Sequence, residues 1–381
     1  MNPIVILGSG LAGYNVAREL RKLDKETPLT VISADSGSFY SKPMLSSAFG
    51  SGKTAQSIAM STAEQMATQI NGTVRASTRV TAIDTAAHTV SIGTETIAYS
   101  KLVIALGADQ IRLPIGGDGA DVVMTVNDLD DYARFRAALK EKSTVAVIGG
   151  GLIGSEFAND LTAGGHAVEV IDVAAWPLAR LLPPEGGALL QQKLAALGVV
   201  WHFGTSVQRI DKAGEKLKLT LANGKQFDAD LVLSAIGLKP RTALAQAAGI
   251  TVNRGIVVNR KLETSAPDVY ALGDCAEVSG LVLPYVMPLM NSARALAATL
   301  AGKPTDVSYP AMPVLVKTPA CPTVVSPPAN GAQGQWEVSA DADGVKALFK
   351  SSEGKLLGFA LHGKATAERA ALTPQLPPVL P

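Results

Sequence analysis

Residues 4–16 read IVILGSGLAGYNV and residues 145–157 read VAVIGGGLIGSEF. In each copy a continuous apolar run of strand length leads into three spaced glycines and then a helical pattern. Gly8, Gly10 and Gly13 of the first copy match Gly149, Gly151 and Gly154 of the second. This repeat constrains the fold more than any other feature. The first glycine permits a tight strand-to-helix turn, the second lets a pyrophosphate approach the backbone, and the third lets helix and strand close on each other. Phosphate oxygens then meet free N–H groups at the positive end of the helix. The unbroken apolar runs need cover on both faces, which is the behaviour of parallel sheets.

One glycine turn of this kind is weak evidence, because ordinary tight turns share it. Here both copies have a strand before, a helix after, and a carboxylate beyond the next strand. Asp35 follows LTVIS, and Asp172 closes VEVID. A carboxylate there accepts both hydroxyls of an adenosine ribose. The pair predicts two dinucleotide sites. FAD with a nicotinamide is the natural combination, since a flavin accepts hydride. After Asp172, residues 173–179 (VAAWPLA) contain no Lys or Arg to offset a 2′-phosphate, and Arg180 is the one nearby cation. That favours NADH.

The 381 residues suffice for two or three domains. With 47% hydrophobic residues and 36 glycines, the chain can build close-packed sheets and helices. The fold class expected is α/β with two Rossmann-like domains, followed by a small α+β unit. Alternating stretches between 73 and 104 read as an antiparallel insertion and a return strand. LPIGGDG (113–119) marks a break, and residues 304–330 are proline-rich. The tail carries short alternating runs (VLVKT, TVVS, QWEVS, VKALF, LLGFAL) that read as an antiparallel sheet.

A net charge of +1 gives no global pull toward nucleic acid. No apolar run reaches the roughly 18 residues of a membrane span. The apolar N-terminus is interrupted by glycines and reads as a buried strand, so a cytoplasmic protein without membrane insertion is expected. Cys275 and Cys321 form no CxxC motif. His88, His166, His202 and His362 show no metal-ligand spacing, so no metal site is assigned.

With both glycine motifs placed, the chain resembles the flavoprotein reductases with two dinucleotide-binding domains. ALGDCA (271–276) is similar to their second FAD motif, and LVIALGA (102–108) and LSAIGLKP (233–240) to their paired strand-end motifs. Leu106 stands where threonine is common. Within this family YSKPMLS (40–46), YALGDCAEV (270–278), LPYVMPLM (283–290) and VKTPACPTVVSPP (316–328) resemble the rubredoxin-reducing branch over essentially the whole chain.

The resemblance implies a discontinuous FAD domain (1–112 and 245–308), an inserted NAD domain (113–244) and a C-terminal domain (309–381) covering the flavin. It implies that Asp274 accepts from the ribityl chain beside Gly273. Leu11, Ala12, Val80, Ala105, Gly237 and Val286 are further implied cofactor contacts. Lys42 falls where the family places a basic residue beside the isoalloxazine; a solvated surface lysine is the alternative. The helix starting near Pro288 would aim its N–H groups at the flavin, although an ordinary packing helix fits its Ala/Leu stripe.

Relatives carry a lysine just after LS, paired with the glutamate of GxxGxE. Here that position is Ser47, while Glu156 is present. An unpaired buried carboxylate is costly. Lys317 is therefore expected to supply the missing charge, making Lys42, Glu156 and Lys317 the candidate catalytic groups. Disulfide reductases and flavin peroxidases carry a redox cysteine soon after the first ribose acid, and FYSKPMLSSAF has none.

The implied activity is hydride transfer from NADH to FAD, then single electrons to rubredoxin, a small acidic iron protein, feeding alkane hydroxylation. Lys42, Lys53, Arg294 and Lys317 are expected to form a basic rim for it. A monomer or weak dimer is expected. The alternatives are a ferredoxin reductase of an oxygenase system and an NADH-sensing flavoprotein.

Overall fold

The computed structural model describes residues 1–341 and 344–381. Three sheets organise the chain. The first has five strands in the order 269–271, 101–104, 4–7, 29–32, 73–75, all paired in parallel. Its central strand, Ile4–Leu7, is buried throughout, as an all-apolar run demands. Thr73–Arg75, expected in the antiparallel insertion, instead forms the parallel edge of this sheet. The insertion proper is the three-stranded antiparallel unit of residues 82–98.

The second sheet has four parallel strands in the order 199–203, 167–172, 144–148, 231–234. A three-stranded antiparallel unit, residues 207–229, flanks it. The third sheet is wholly antiparallel, in the order 314–316, 323–326, 356–362, 344–350, 335–341.

Each glycine turn opens a helix: Leu11–Leu23, the first glycine helix, and Leu152–Ala163, the second. A Cβ on Gly13 would collide with the carbonyl of Gly8, and one on Gly154 with that of Gly149. The third glycine of each motif therefore acts by packing. Gly8 and Gly149 sit at φ +112 and +106, the left-handed side that favours glycine. The helix Val286–Leu300, the cleft helix, packs along the first glycine helix and begins two residues before Pro288.

One apolar core joins all three units. Val145, Val147 and Leu233 of the second sheet share it with Val316, Val325 and Ala360 of the third, and with Leu45 and Ala48 from the loop after Lys42. Among the described residues, no helix is long and apolar enough to cross a membrane.

Candidate functional site

A cleft of 2750 Å³ runs between the two glycine turns and under the C-terminal sheet. That is several times the roughly 300–1,000 Å³ of a typical small-ligand site, and it is large enough for two dinucleotides end to end. Gly8, Gly10, Leu11, Ala12, Asp35, Lys42, Val80, Ala105, Gly149, Gly151, Glu156, Asp172, Gly237, Asp274, Val286 and Lys317 all line it. Gly13, Gly154 and Gly273 do not. The first two pack helix on strand, and Gly273 (φ +76) brings its backbone so near the first glycine helix that a Cβ would lie 2.8 Å from that of Ala12.

At the first turn the backbone is ready for an anion. A Cβ on Gly10 would meet nothing within 4 Å, so that face is open. Asp35 is exposed at the cleft wall. Its Oδ1 accepts from the Ser9 hydroxyl (2.8 Å), the Ser33 hydroxyl (2.6 Å) and the Gly37 amide (2.9 Å), so Oδ2 carries none of these bonds. These residues fit a flavin dinucleotide: an oriented carboxylate for ribose hydroxyls and an uncrowded turn for the diphosphate. At the second turn Asp172 accepts from the amides of Gly150 (2.5 Å) and Ala174 (2.7 Å). The carboxylate ties the turn to the strand end. Each oxygen keeps a lone pair for a ribose, and the adjoining Val173 and Ala174 offer no cation.

Lys42 and Asp274 face each other across the first site, Nζ to Oδ2 3.9 Å. Burial pushes the Lys42 ammonium below its usual range, with Asp274 working against the shift. Burial pushes the Asp274 carboxyl up, with Lys42 opposing. Each opposes the other's shift toward the neutral form. Arg241 is anchored nearby, its Nε donating to Asp109 Oδ1 (2.6 Å) and its Nη1 to the Leu106 carbonyl (3.0 Å). At the cleft helix, Tyr285 to Leu289 line the wall. Pro288 has no N–H, so the free donors of the first turn are Val286 and Met287, at the positive end of a 15-residue helix.

Where the two halves of the cleft meet, three segments converge on one carboxylate. Glu156 of the second glycine helix is 1% exposed. Its Oε2 accepts from the Ser46 hydroxyl (2.5 Å) and pairs with Lys317 Nζ, and its Oε1 accepts from the Lys317 amide (2.9 Å). Lys317 Nζ also donates to Ser46 Oγ (2.9 Å). Glu156 is thus satisfied by Lys317 of the C-terminal segment and by Ser46, the residue before the position where relatives carry a lysine. The sequence pattern did not mark Ser46, although it is the last residue of YSKPMLS. A hydroxyl next to a vacated lysine position was the available signal.

Lys53 and Arg294 do not line the cleft, so the four cations expected to form a basic rim are split. Among the described residues, Lys317 is the one cation that the C-terminal segment gives to the cleft wall. The mouth there is apolar instead: Leu315 (57% exposed), Met287 (50%), Val286 and Val379, set among Pro313, Pro327, Pro328, Pro377 and Pro378. Cys275 is fully buried, its thiol pushed up to about 11 by burial, and donates to the carbonyls of Leu272 (3.3 Å) and Ile104 (3.4 Å). Cys321 is also buried and free. Neither thiol reaches the cleft.

Two parallel nucleotide folds sharing one cleft, with a third sheet over their junction, define a two-nucleotide oxidoreductase. Residues 2–297 match the family described as pyridine nucleotide-disulphide oxidoreductase, and the chain belongs to that family. Residues 306–376 match the rubredoxin binding C-terminal domain. Among curated relatives, the chain is 51% identical to a rubredoxin-NAD(+) reductase of Alcanivorax borkumensis, covering 100% of both chains. It is 47% identical to a rubredoxin-NAD(+) reductase of Acinetobacter baylyi, covering 100% of this chain and 99% of the other. Among solved structures, a ferredoxin reductase from Rhodopseudomonas palustris superposes with a TM-score of 0.89 at 25% identity, over 99% of this chain and 96% of that one.

Proposed function

We propose that the protein is an FAD-dependent NADH:rubredoxin reductase. The observation that carries this reading is the Ser46–Glu156–Lys317 junction. There the segment resembling a rubredoxin-binding domain touches both the second glycine helix and the loop of the first nucleotide site. A bound flavin supplies the conversion of a two-electron donor into single electrons. The chain's own groups do the rest. The turn at Gly8–Gly10 and Asp35 hold one dinucleotide, and the turn at Gly149–Gly151 and Asp172 hold the other. The Val286 and Met287 amides set a positive potential at one end of the site. Lys42 and Asp274 pair across its polar wall. Glu156 and Lys317 fix the junction, and the C-terminal sheet excludes water from it.

The division we propose is 1–112 with 245–308 for FAD, 113–244 for NADH, and 309–381 for the cover. The strand 269–271 paired beside 101–104 supports the discontinuous first unit. Rubredoxin would dock on the apolar mouth around Leu315 and Met287, so steering by charge is expected to be minor. The TM-score of 0.89 to a ferredoxin reductase favours ferredoxin as the second reading. The deciding experiment is kcat/KM for NADH-driven reduction of rubredoxin and of ferredoxin at two salt concentrations. A rubredoxin preference of at least tenfold that survives high salt is expected. A ferredoxin preference would reject the first reading.

A further inference from the structure

One helical turn beyond Glu156, on the same side of the second glycine helix, lies Asp160. It is buried, and its partners are backbone amides of a different unit: Oδ2 accepts from Phe49 N (2.8 Å) and Oδ1 from Gly50 N (3.2 Å). The segment around these amides is inserted into the second nucleotide fold. The Phe49 ring sits 5.0 Å from that of His166, and the Arg136 guanidinium lies over it at 5.0 Å from its centroid. A Cβ on Gly164 would be 2.7 Å from the Phe49 ring, and one on Gly50 would be 2.8 Å from the Asp160 carbonyl. Two glycines on facing segments are needed for the fit. Tyr132 donates its hydroxyl to the Lys53 carbonyl (2.8 Å) and closes the far end.

None of Phe49, Gly50, Asp160, Tyr132, Arg136 or His166 lines the cleft. Their arrangement therefore binds no dinucleotide directly. Its place in the chain gives it a role. Three residues before Phe49 is Ser46, which touches Glu156, and four residues earlier again is Lys42, which faces Asp274. Upstream, the loop lines the cleft; downstream, it is plugged into the fold that carries the second glycine turn. Helix and loop thus run side by side, Glu156 to Ser46 and Asp160 to Phe49 and Gly50. A carboxylate held by two amides here is a poor choice for stability alone, since burial raises its pKa and an apolar side chain avoids that penalty. What the carboxylate adds is direction: two hydrogen bonds fix the loop's height along the helix.

We propose that Asp160, with the Phe49–Gly50 plug, is a positioning residue for hydride transfer. It sets the spacing between the loop carrying Lys42 and Ser46 and the helix carrying the second dinucleotide. This rests on the reading of the cleft as an NADH-to-flavin site. Reacting atoms must meet within about 3–3.5 Å, and a displacement of about 1 Å caused far from the chemistry can cost about a hundredfold in rate.

The test uses the full-length flavin-loaded protein and three variants: Asp160→Asn, which keeps one acceptor oxygen, Gly50→Ala, which pushes the plug from the loop side without changing charge, and the double variant. Flavin content, melting temperature, the anaerobic rate of flavin bleaching by NADH and the long-wavelength nicotinamide–flavin charge-transfer absorbance are measured together. Each single variant is expected to retain flavin, slow bleaching by about tenfold or more, and weaken the charge-transfer band, with NADH affinity changed less than twofold. The double variant is expected to be no slower than the worse single one, because both release the same constraint. Wild-type rates and an intact band in both single variants would overturn the proposal. So would variants that lose only melting temperature or flavin content. Wild-type protein that NADH fails to bleach would bring down the functional reading itself, and this inference with it.

Discussion

Replacing Lys317 with methionine removes the ammonium from Glu156 while keeping a side chain of similar length. The carboxylate retains the Ser46 hydroxyl at 2.5 Å and the residue-317 amide at 2.9 Å. Breaking a fully buried ion pair costs about 3–5 kcal/mol. Lys317 is 32% exposed along its side chain and two donors remain, so the loss here is nearer to about 2 kcal/mol. The junction then loses the charge that ties loop, helix and cover together. If between half and all of that energy is felt in the transition state, flavin reduction by NADH slows by about fivefold to thirtyfold. Anaerobic stopped-flow bleaching of the flavin reads this directly. Lys317→Arg, which keeps the charge, should recover most of the rate. A Lys317→Met protein that bleaches at the wild-type rate would refute the assignment of Glu156 and Lys317 to the reaction.

Further outcomes follow from the same geometry. Gly8→Ala puts a Cβ into the Ala105 carbonyl at φ +112, so the protein should purify with little flavin, read from its visible absorbance. Leu315→Asp should raise KM for rubredoxin several-fold without slowing bleaching by NADH; an unchanged KM would move the docking site off this mouth. His362 is fully buried. Thr323 donates its hydroxyl to the Cys321 carbonyl (2.9 Å), so His362 Nδ1–H donates to Thr323. Its Nε2 faces Gly186, where a Cβ would lie 2.5 Å away, and burial lowers its pKa to about 4. A depressed folded-state pKa means the stabilisation is present above the unfolded value of about 6.5 and is lost as pH falls toward 4. The gap corresponds to roughly 3 kcal/mol. Denaturant unfolding between pH 7 and 4 should show this loss, and His362→Gln should flatten it.

Much of the architecture was legible because glycine spacing is a backbone requirement. Gly8, Gly10 and Gly13, and their counterparts, dictate strand–turn–helix wherever they occur, and both turns formed with Asp35 and Asp172 beside them. Thr73–Arg75 was misplaced because a three-residue edge strand carries too little periodicity to distinguish parallel from antiparallel pairing. The expectation that Lys317 meets Glu156 came from charge accounting, since a buried glutamate without its usual partner needs another. The Phe49–Gly50–Asp160 plug was invisible because backbone amides satisfy a carboxylate without leaving a sequence mark. The apolar mouth was also illegible. Leu315 and Met287 lie in alternating or helical runs that read as core, and only the three-dimensional packing leaves them exposed.

The most direct measurement is an anaerobic titration of the purified protein, first with NADH and then with oxidised rubredoxin. The protein should be yellow, lose its flavin band with one equivalent of NADH, and regain it as two rubredoxins are reduced. A colourless protein, or a flavin band that NADH leaves untouched, would contradict the claim that this cleft seats two dinucleotides against each other.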